Sequence, residues 1–182
     1  EGRPEDIRPC TGCTTCFDNN EHGNPPLCQV NAALGREKEY EIIPAEQKKR
    51  VMVVGGGPAG MEAALVAALR GHEVVLYEKE SRLGGSLPVA ALVKGFHRED
   101  VLGLVSYYKT QLGKLGVDTR LGKEVNQSVV NEHKPDVLIV AVGGLHDVPD
   151  LPGIDMPHVV TSRALHRQLK GYMRFIPPRL LR

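Results

Sequence analysis

Four cysteines carry the first chemistry that the residue types suggest. Cys10, Cys13, Cys16 and Cys28 follow the spacing C-x2-C-x2-C-x11-C and are all the cysteines of this 182-residue chain. Two-residue gaps let successive thiolates curl round one centre, and a remote fourth closes the site. Three close thiolates and one distant one suit a cubane 4Fe–4S cluster. Zinc ribbons group their ligands two and two. The 3+1 grouping therefore favours iron–sulfur, with zinc and free or disulfide-bonded thiols as the alternatives. Cys28 is followed by Gln29 rather than Pro, and a single set of four is present, so one cluster is expected. His22 lies between the third and fourth cysteines and reads as a loop residue beside a complete thiol set.

A second constellation suits a nucleotide. The apolar run Val51-Met52-Val53-Val54 breaks into Gly55-Gly56-Gly57-Pro58-Ala59-Gly60, and a second run, Val74-Val75-Leu76-Tyr77, ends in Glu78. This is G-x-G-x-x-G at the turn of a βαβ unit, with an acid closing the second strand. Gly55 permits the tight turn, Gly57 lets backbone approach a pyrophosphate, and Gly60 lets helix pack on strand. A helix beginning at Pro58 and Ala59 aims unpaired N–H groups and its positive dipole end at that pyrophosphate. Glu78 would accept hydrogen bonds from both ribose hydroxyls and repel a 2′-phosphate. The loop from Lys79 to Pro88 is too Gly-rich for regular structure. Its Gly84 and Gly85 would admit backbone to a further part of the cofactor, and Arg82 would meet a phosphate.

The elements that must position these residues are an α/β set, a Rossmann-like doubly wound domain preceded by an irregular cysteine-rich segment. Met61, Ala64, Leu65, Ala68 and Leu69 share one helical face after the glycines, and Gly71 ends that helix. A helix spans about Glu99 to Leu115, its tyrosines serving core and rim. A short strand covers Val117 to Leu121, Val125 flanks another extended piece, and Val129 to His133 form a helical turn. The continuous apolar run Val137 to Val142 predicts a parallel strand covered on both faces, ending at Gly143-Gly144 on the ligand edge of the sheet. Thr161-Ser162 caps a helix to about Lys170. The expected divisions are 1–49 for the cysteine segment and connecting arm, 50–161 for the first part of the dinucleotide domain, and 162–182 for a linker. The arm 31–49 has at most short helix or strand, and the arginines of the tail read as linker or interdomain surface.

Composition narrows the function classes. An apolar content of 41% and a charged content of 25% are those of a globular domain, and the net charge of +1 argues against broad attraction to nucleic acid or anionic membrane. No apolar run approaches the ~20 residues of a membrane span. Glu1-Gly2-Arg3-Pro4 is no signal peptide and lacks Met, so a fragment of a longer chain is expected. Clustered cysteines without a secretion signal point to metal in a reducing, cytoplasmic compartment.

Taken together, Cys10 to Cys28, Asn31-Ala32-Ala33-Leu34-Gly35-Arg36-Glu37 and Val53 to Gly60 resemble the C-terminal part of iron–sulfur flavoproteins of the old yellow enzyme superfamily. Glu78-Lys79, Leu83-Gly84-Gly85 and Ala141-Val142-Gly143 match further landmarks of their FAD- or ADP-binding domain. The resemblance implies a 4Fe–4S cluster on the four cysteines and FAD, or ADP, on the glycine loop. Arg82, Gly85 and Leu87 would line the cofactor channel, and Val125 would offer backbone to adenine. It also implies an FMN-bearing TIM barrel with the substrate site before this chain and an NAD(P)H-binding unit after it. Electrons would pass from NAD(P)H through FAD, cluster and FMN to an unsaturated substrate such as an enoyl-CoA thioester, in an expected homo-oligomer. Its alternatives are an amine-dehydrogenase-type protein holding ADP structurally and a separate electron-transfer subunit. No general acid or base is nominated within the chain. Two positions depart from the family pattern: Val142 stands where Thr is usual, and Ser86 where Gln is common.

Overall fold

The computed structural model describes residues 2–94, 98–144 and 147–173. A 3₁₀ turn, Pro4–Asp6, and a short helix α1, Thr15–Glu21, precede the sheet. Then come β1 (Arg50–Val54), α2 (Pro58–Leu69), β2 (Glu73–Glu78), α3 (Leu87–Lys94), α4 (Arg98–Lys114), β3 (Asp118–Leu121), α5 (Gln127–His133), β4 (Val137–Val140) and α6 (Ser162–Met173). The strands form one parallel sheet in the order β3-β2-β1-β4. Val53 stands beside Leu76 on one side and Ile139 on the other. A parallel sheet that reverses its order at β1 leaves a crevice at the carboxyl ends of its strands, where doubly wound folds take ligands.

Side-chain alternation builds the core. Val51, Val53, Val74 and Leu76 face one side and pack with Met61, Ala64 and Leu65 of α2 and Leu104, Val105, Tyr108 and Leu112 of α4. Leu76 and Leu112 are almost wholly buried, each contributing about 1.5–3 kcal/mol relative to exposure. The face expected on α2 is narrower than its apolar residues suggest: Ala68 is half-buried at the margin of the core, and Leu69 turns outward. Gly71, at φ +89°, reverses the chain from α2 into β2.

Four expectations change. The loop after Glu78 ends at Ser86, because Leu87 and Pro88 open α3; proline lacks the N–H that a first helical turn leaves unpaired anyway. Val125 flanks no strand: 122–126 is irregular, and Asn126 ends it by accepting the Val129 N–H on its side chain at 3.1 Å, capping α5. The cysteine segment is not wholly irregular, since Cys16 lies in α1. Finally, β4 stops at Val140 and is covered on one face. Val137 and Ile139 pack on the core, whereas Leu138 is 42% and Val140 65% exposed. A continuous apolar run shows that both faces tolerate oil, not that both are covered within the same chain. As expected, the arm 31–49 is built of turns, and Thr161 caps α6 by accepting the Ala164 N–H. Of the tail, 174–182 lies outside the described residues.

Candidate functional site

The site grows from the backbone crook that follows β1. Gly55 turns at φ +110° and donates its N–H to the Tyr77 carbonyl at 2.8 Å. A Cβ there would lie 2.3 Å from the Ala141 carbonyl oxygen, so both conformation and space require glycine. At Gly60 a Cβ would come within 1.8 Å of the Gly55 carbonyl oxygen. The third glycine of the motif thus makes room for the carbonyl of the first. Gly57 precedes α2 as its N-cap, and no side chain satisfies the helix's first N–H groups. Pro58 and Ala59 open the first turn. An uncapped helix start beneath a glycine crook is an anion cradle.

Glu78 is the second component. The residue is buried, with a relative exposure of 7%. Oε2 accepts the Gly56 N–H at 2.6 Å and Oε1 accepts the Glu80 N–H at 2.8 Å. Each oxygen keeps a lone pair free for a further donor, which is what a ribose diol offers. Gly56, the unassigned middle glycine of the motif, is held from both sides. Its N–H goes to Glu78, and its carbonyl accepts the Gly84 N–H at 2.8 Å. A Cβ on Gly56 would stand 2.4 Å from the Leu83 side chain. The loop after β2 is therefore pinned over the glycine crook. Gly85, at φ +57°, lies so close that a Cβ would be 2.9 Å from the Gly57 Cα.

Gly55, Glu78, Lys79 and Val125 line one recess of about 290 Å³ at the carboxyl ends of β1 and β2, joined there by Lys123 and Val142. Lys123 escaped the sequence reading. Its backbone N–H donates to the Glu78 carbonyl at 3.0 Å, a link between distant loops that no local pattern announces. The other expected residues are elsewhere. Ala141 supports the crook from beneath, its N–H bonded to the Val54 carbonyl at 2.8 Å and its own carbonyl against Gly55. Gly143 turns at φ +85° in open space. Arg82 and Gly85 line a separate small recess opposite Lys170 and Met173 of α6. Leu87, half-buried at the start of α3, packs against the main core.

The cysteines are free thiols, Cys10 and Cys16 exposed, Cys13 and Cys28 half-buried. Cys10 and Cys28 share a recess of about 370 Å³ with Arg8. The Gly12 N–H donates to the Cys10 Sγ at 3.3 Å. Hydrogen bonds from the Thr15 side chain, then from its backbone, hold the Cys13 thiol below the ordinary thiol range. Among the described residues no three His, Cys, Asp or Glu side chains converge on one point. The donor set nevertheless fits a thiophilic centre: four unpaired thiols, with backbone and hydroxyl donors turned towards two of the sulfurs.

A parallel sheet whose first strand ends in an anion-cradling crook, facing a buried acid at the end of the second, defines a Rossmann-like nucleotide-binding domain. The chain belongs to the pyridine nucleotide-disulphide oxidoreductase family, which residues 49–172 match. It is 42% identical over 151 residues to the N,N-dimethylglycine/sarcosine dehydrogenase of Chromohalobacter salexigens, covering 79% of this chain and 22% of that protein. It is 41% identical over 160 residues to the bilirubin reductase of Mediterraneibacter gnavus, covering 87% and 24%. Among solved structures, a 2-naphthoyl-CoA reductase in complex with 2-naphthoyl-CoA superposes with a TM-score of 0.82 at 38% identity, over 92% of this chain and 26% of that one. The chain thus spans about a quarter of the length of the relatives it matches. The resemblance to the C-terminal nucleotide-binding part of old yellow enzyme flavoproteins holds. No described helix is long and apolar enough to cross a membrane.

Proposed function

We propose that this chain is the electron-relay portion of a larger flavin-dependent oxidoreductase. In this reading the crook at Gly55, Gly57, Pro58, Ala59 and Gly60 holds the diphosphate of FAD, and Glu78 binds the adenosine ribose. Lys79, Lys123, Val125 and Val142 enclose the adenine end. Cys10, Cys13, Cys16 and Cys28 hold a 4Fe–4S cluster. When bound, the flavin takes two electrons as hydride and the cluster passes them singly. The chain's own residues supply binding and orientation. The α2 N–H groups balance diphosphate charge, Glu78 fixes the ribose, and donors at Thr15 favour the Cys13 thiolate over its thiol. Reduction of an unsaturated substrate, an enoyl-CoA or similar thioester, belongs to an FMN-bearing barrel domain, with NAD(P)H as the electron source.

The observation that carries the reading is Glu78, buried with both oxygens on backbone N–H groups at the mouth of the recess. Anaerobically purified full-length protein should contain about four iron atoms per chain and show flavin and iron–sulfur absorbance, and Cys13→Ala should lose the latter. Zinc in place of iron, or full iron in Cys13→Ala, would defeat the cluster assignment. Glu78→Arg should weaken adenine-nucleotide binding at least tenfold by calorimetry, about 1.4 kcal/mol. Unchanged affinity would defeat the ribose assignment.

A further inference from the structure

Arg8 stands two residues before Cys10, and its side chain reaches Val30, two residues after Cys28. Its Nη1 donates to the Val30 carbonyl at 2.5 Å. Nη1 and Nη2 donate to Oε1 and Oε2 of Glu62, at 3.0 and 2.9 Å. The guanidinium carbon lies 5.3 Å from the Tyr107 ring centroid and 5.5 Å from that of Tyr108. The Tyr108 hydroxyl completes the group by donating to Glu62 Oε2 at 2.9 Å. Arg8 also lines the recess that holds Cys10 and Cys28.

We propose that Arg8 is a positioning residue that clasps both ends of the cysteine loop and fixes them to α2, the helix whose N-terminus cradles the diphosphate. Glu62 lies five residues beyond Gly57, about 7.5 Å along the helix axis. Sulfur centre and nucleotide site therefore ride on one rigid element. The role rests on the cluster reading above. It asks for arginine specifically: a planar fork can take a bidentate carboxylate and a carbonyl while stacking on rings, whereas lysine offers a single ammonium. Arg8 also places its positive charge at the rim of the thiol recess, where it favours the reduced, more negative state of a cluster.

The test uses full-length holoenzyme purified anaerobically, with iron per flavin, flavin content, thermal midpoint and the cluster midpoint potential by EPR-monitored titration. Arg8→Met should lower iron per flavin at least twofold while flavin content holds. The remaining cluster should be harder to reduce, its oxidised-to-reduced ratio at the wild-type midpoint rising about tenfold, about 59 mV for one electron. Arg8→Lys should lose iron similarly but keep the wild-type potential, separating fork from charge. Wild-type iron and potential in Arg8→Met would overturn the proposal. Should that variant not fold, Glu62→Gln decides: reduced iron supports the clasp and full iron overturns it. If the wild-type enzyme carries flavin but no iron, the cluster reading itself has failed. The clasp is then read from iodoacetamide labelling of Cys10 and Cys28: faster in Arg8→Met supports it, and equal rates overturn it.

Discussion

Glu78, proposed above as the ribose ligand, also has a structural part that its place in the sequence does not show. Its place at the end of the second strand is what suggests ribose binding. Its bonds to the Gly56 and Glu80 N–H groups make it a structural acceptor as well. Removing it takes the acceptor from the buried Gly56 N–H and from the part-buried Glu80 N–H, an unpaired buried donor costing about 1–3 kcal/mol. Glu78→Ala should therefore lower stability by about 2–4 kcal/mol in urea denaturation even without nucleotide. Glu78→Gln keeps one good acceptor but turns an NH₂ towards the other donor, so it should cost about 1–2 kcal/mol. Equal stabilities for wild type and Glu78→Ala would show that the acid is held for the ligand alone. The glycines of the motif were legible because their spacing is local. Gly56 and Lys123 were not, because their partners, Leu83, Gly84 and the Glu78 carbonyl, arrive from elsewhere in the chain.

At the scale of elements, α2 is positioned by an absence. The Gly55 carbonyl oxygen occupies the place of a Gly60 side chain, with 1.8 Å between it and an ideal Cβ. Gly60→Ala must push helix from crook, and about 3 kcal/mol of destabilisation, the upper end for overpacking, is expected. Nucleotide binding should fall with it. Gly103, within α4, is the counter-case. A Cβ there would meet only the Pro9 ring at 3.7 Å, an ordinary contact. Gly103→Ala should raise stability by about 0.5–1 kcal/mol through helix propensity. Thermal melts of the two variants test both expectations, and the same sign for both would contradict the packing account. β1, β2, α2 and α4 were readable because their apolar periods run undisturbed. α3 was not, because Gly84, Gly85 and Pro88 look like breakers until the helix is seen to start behind the glycines and use the proline in its first turn.

Across the whole molecule, two surfaces depend on more than local pattern. The outer face of β4, with Leu138 and Val140 exposed, lies open in a chain that spans about a quarter of its relatives. Val140→Thr should thus change stability by less than about 0.5 kcal/mol. The other surface joins the cysteine segment to the nucleotide domain. There Arg8 grips α2, and the 3₁₀ turn meets α4: Asp6 Oδ1 accepts from Lys114 Nζ at 2.5 Å and Gln111 Nε2 at 2.8 Å. The Lys114 hydrogen bond, then that of Gln111, lowers the Asp6 pKa below its ordinary 3.8. A carboxyl with a lowered folded pKa adds stability above its unfolded pKa and loses it as pH falls through the folded one. Acid should therefore release this contact below the ordinary carboxylate range, and neutral solution should restore it. In Asp6→Asn the amide cannot ionise, so the drop in urea midpoint between about pH 6 and about pH 3 should be smaller than in wild type. An undiminished drop would mean that other carboxylates carry the acid sensitivity and that the Lys114 contact is too well hydrated to hold the segment in place.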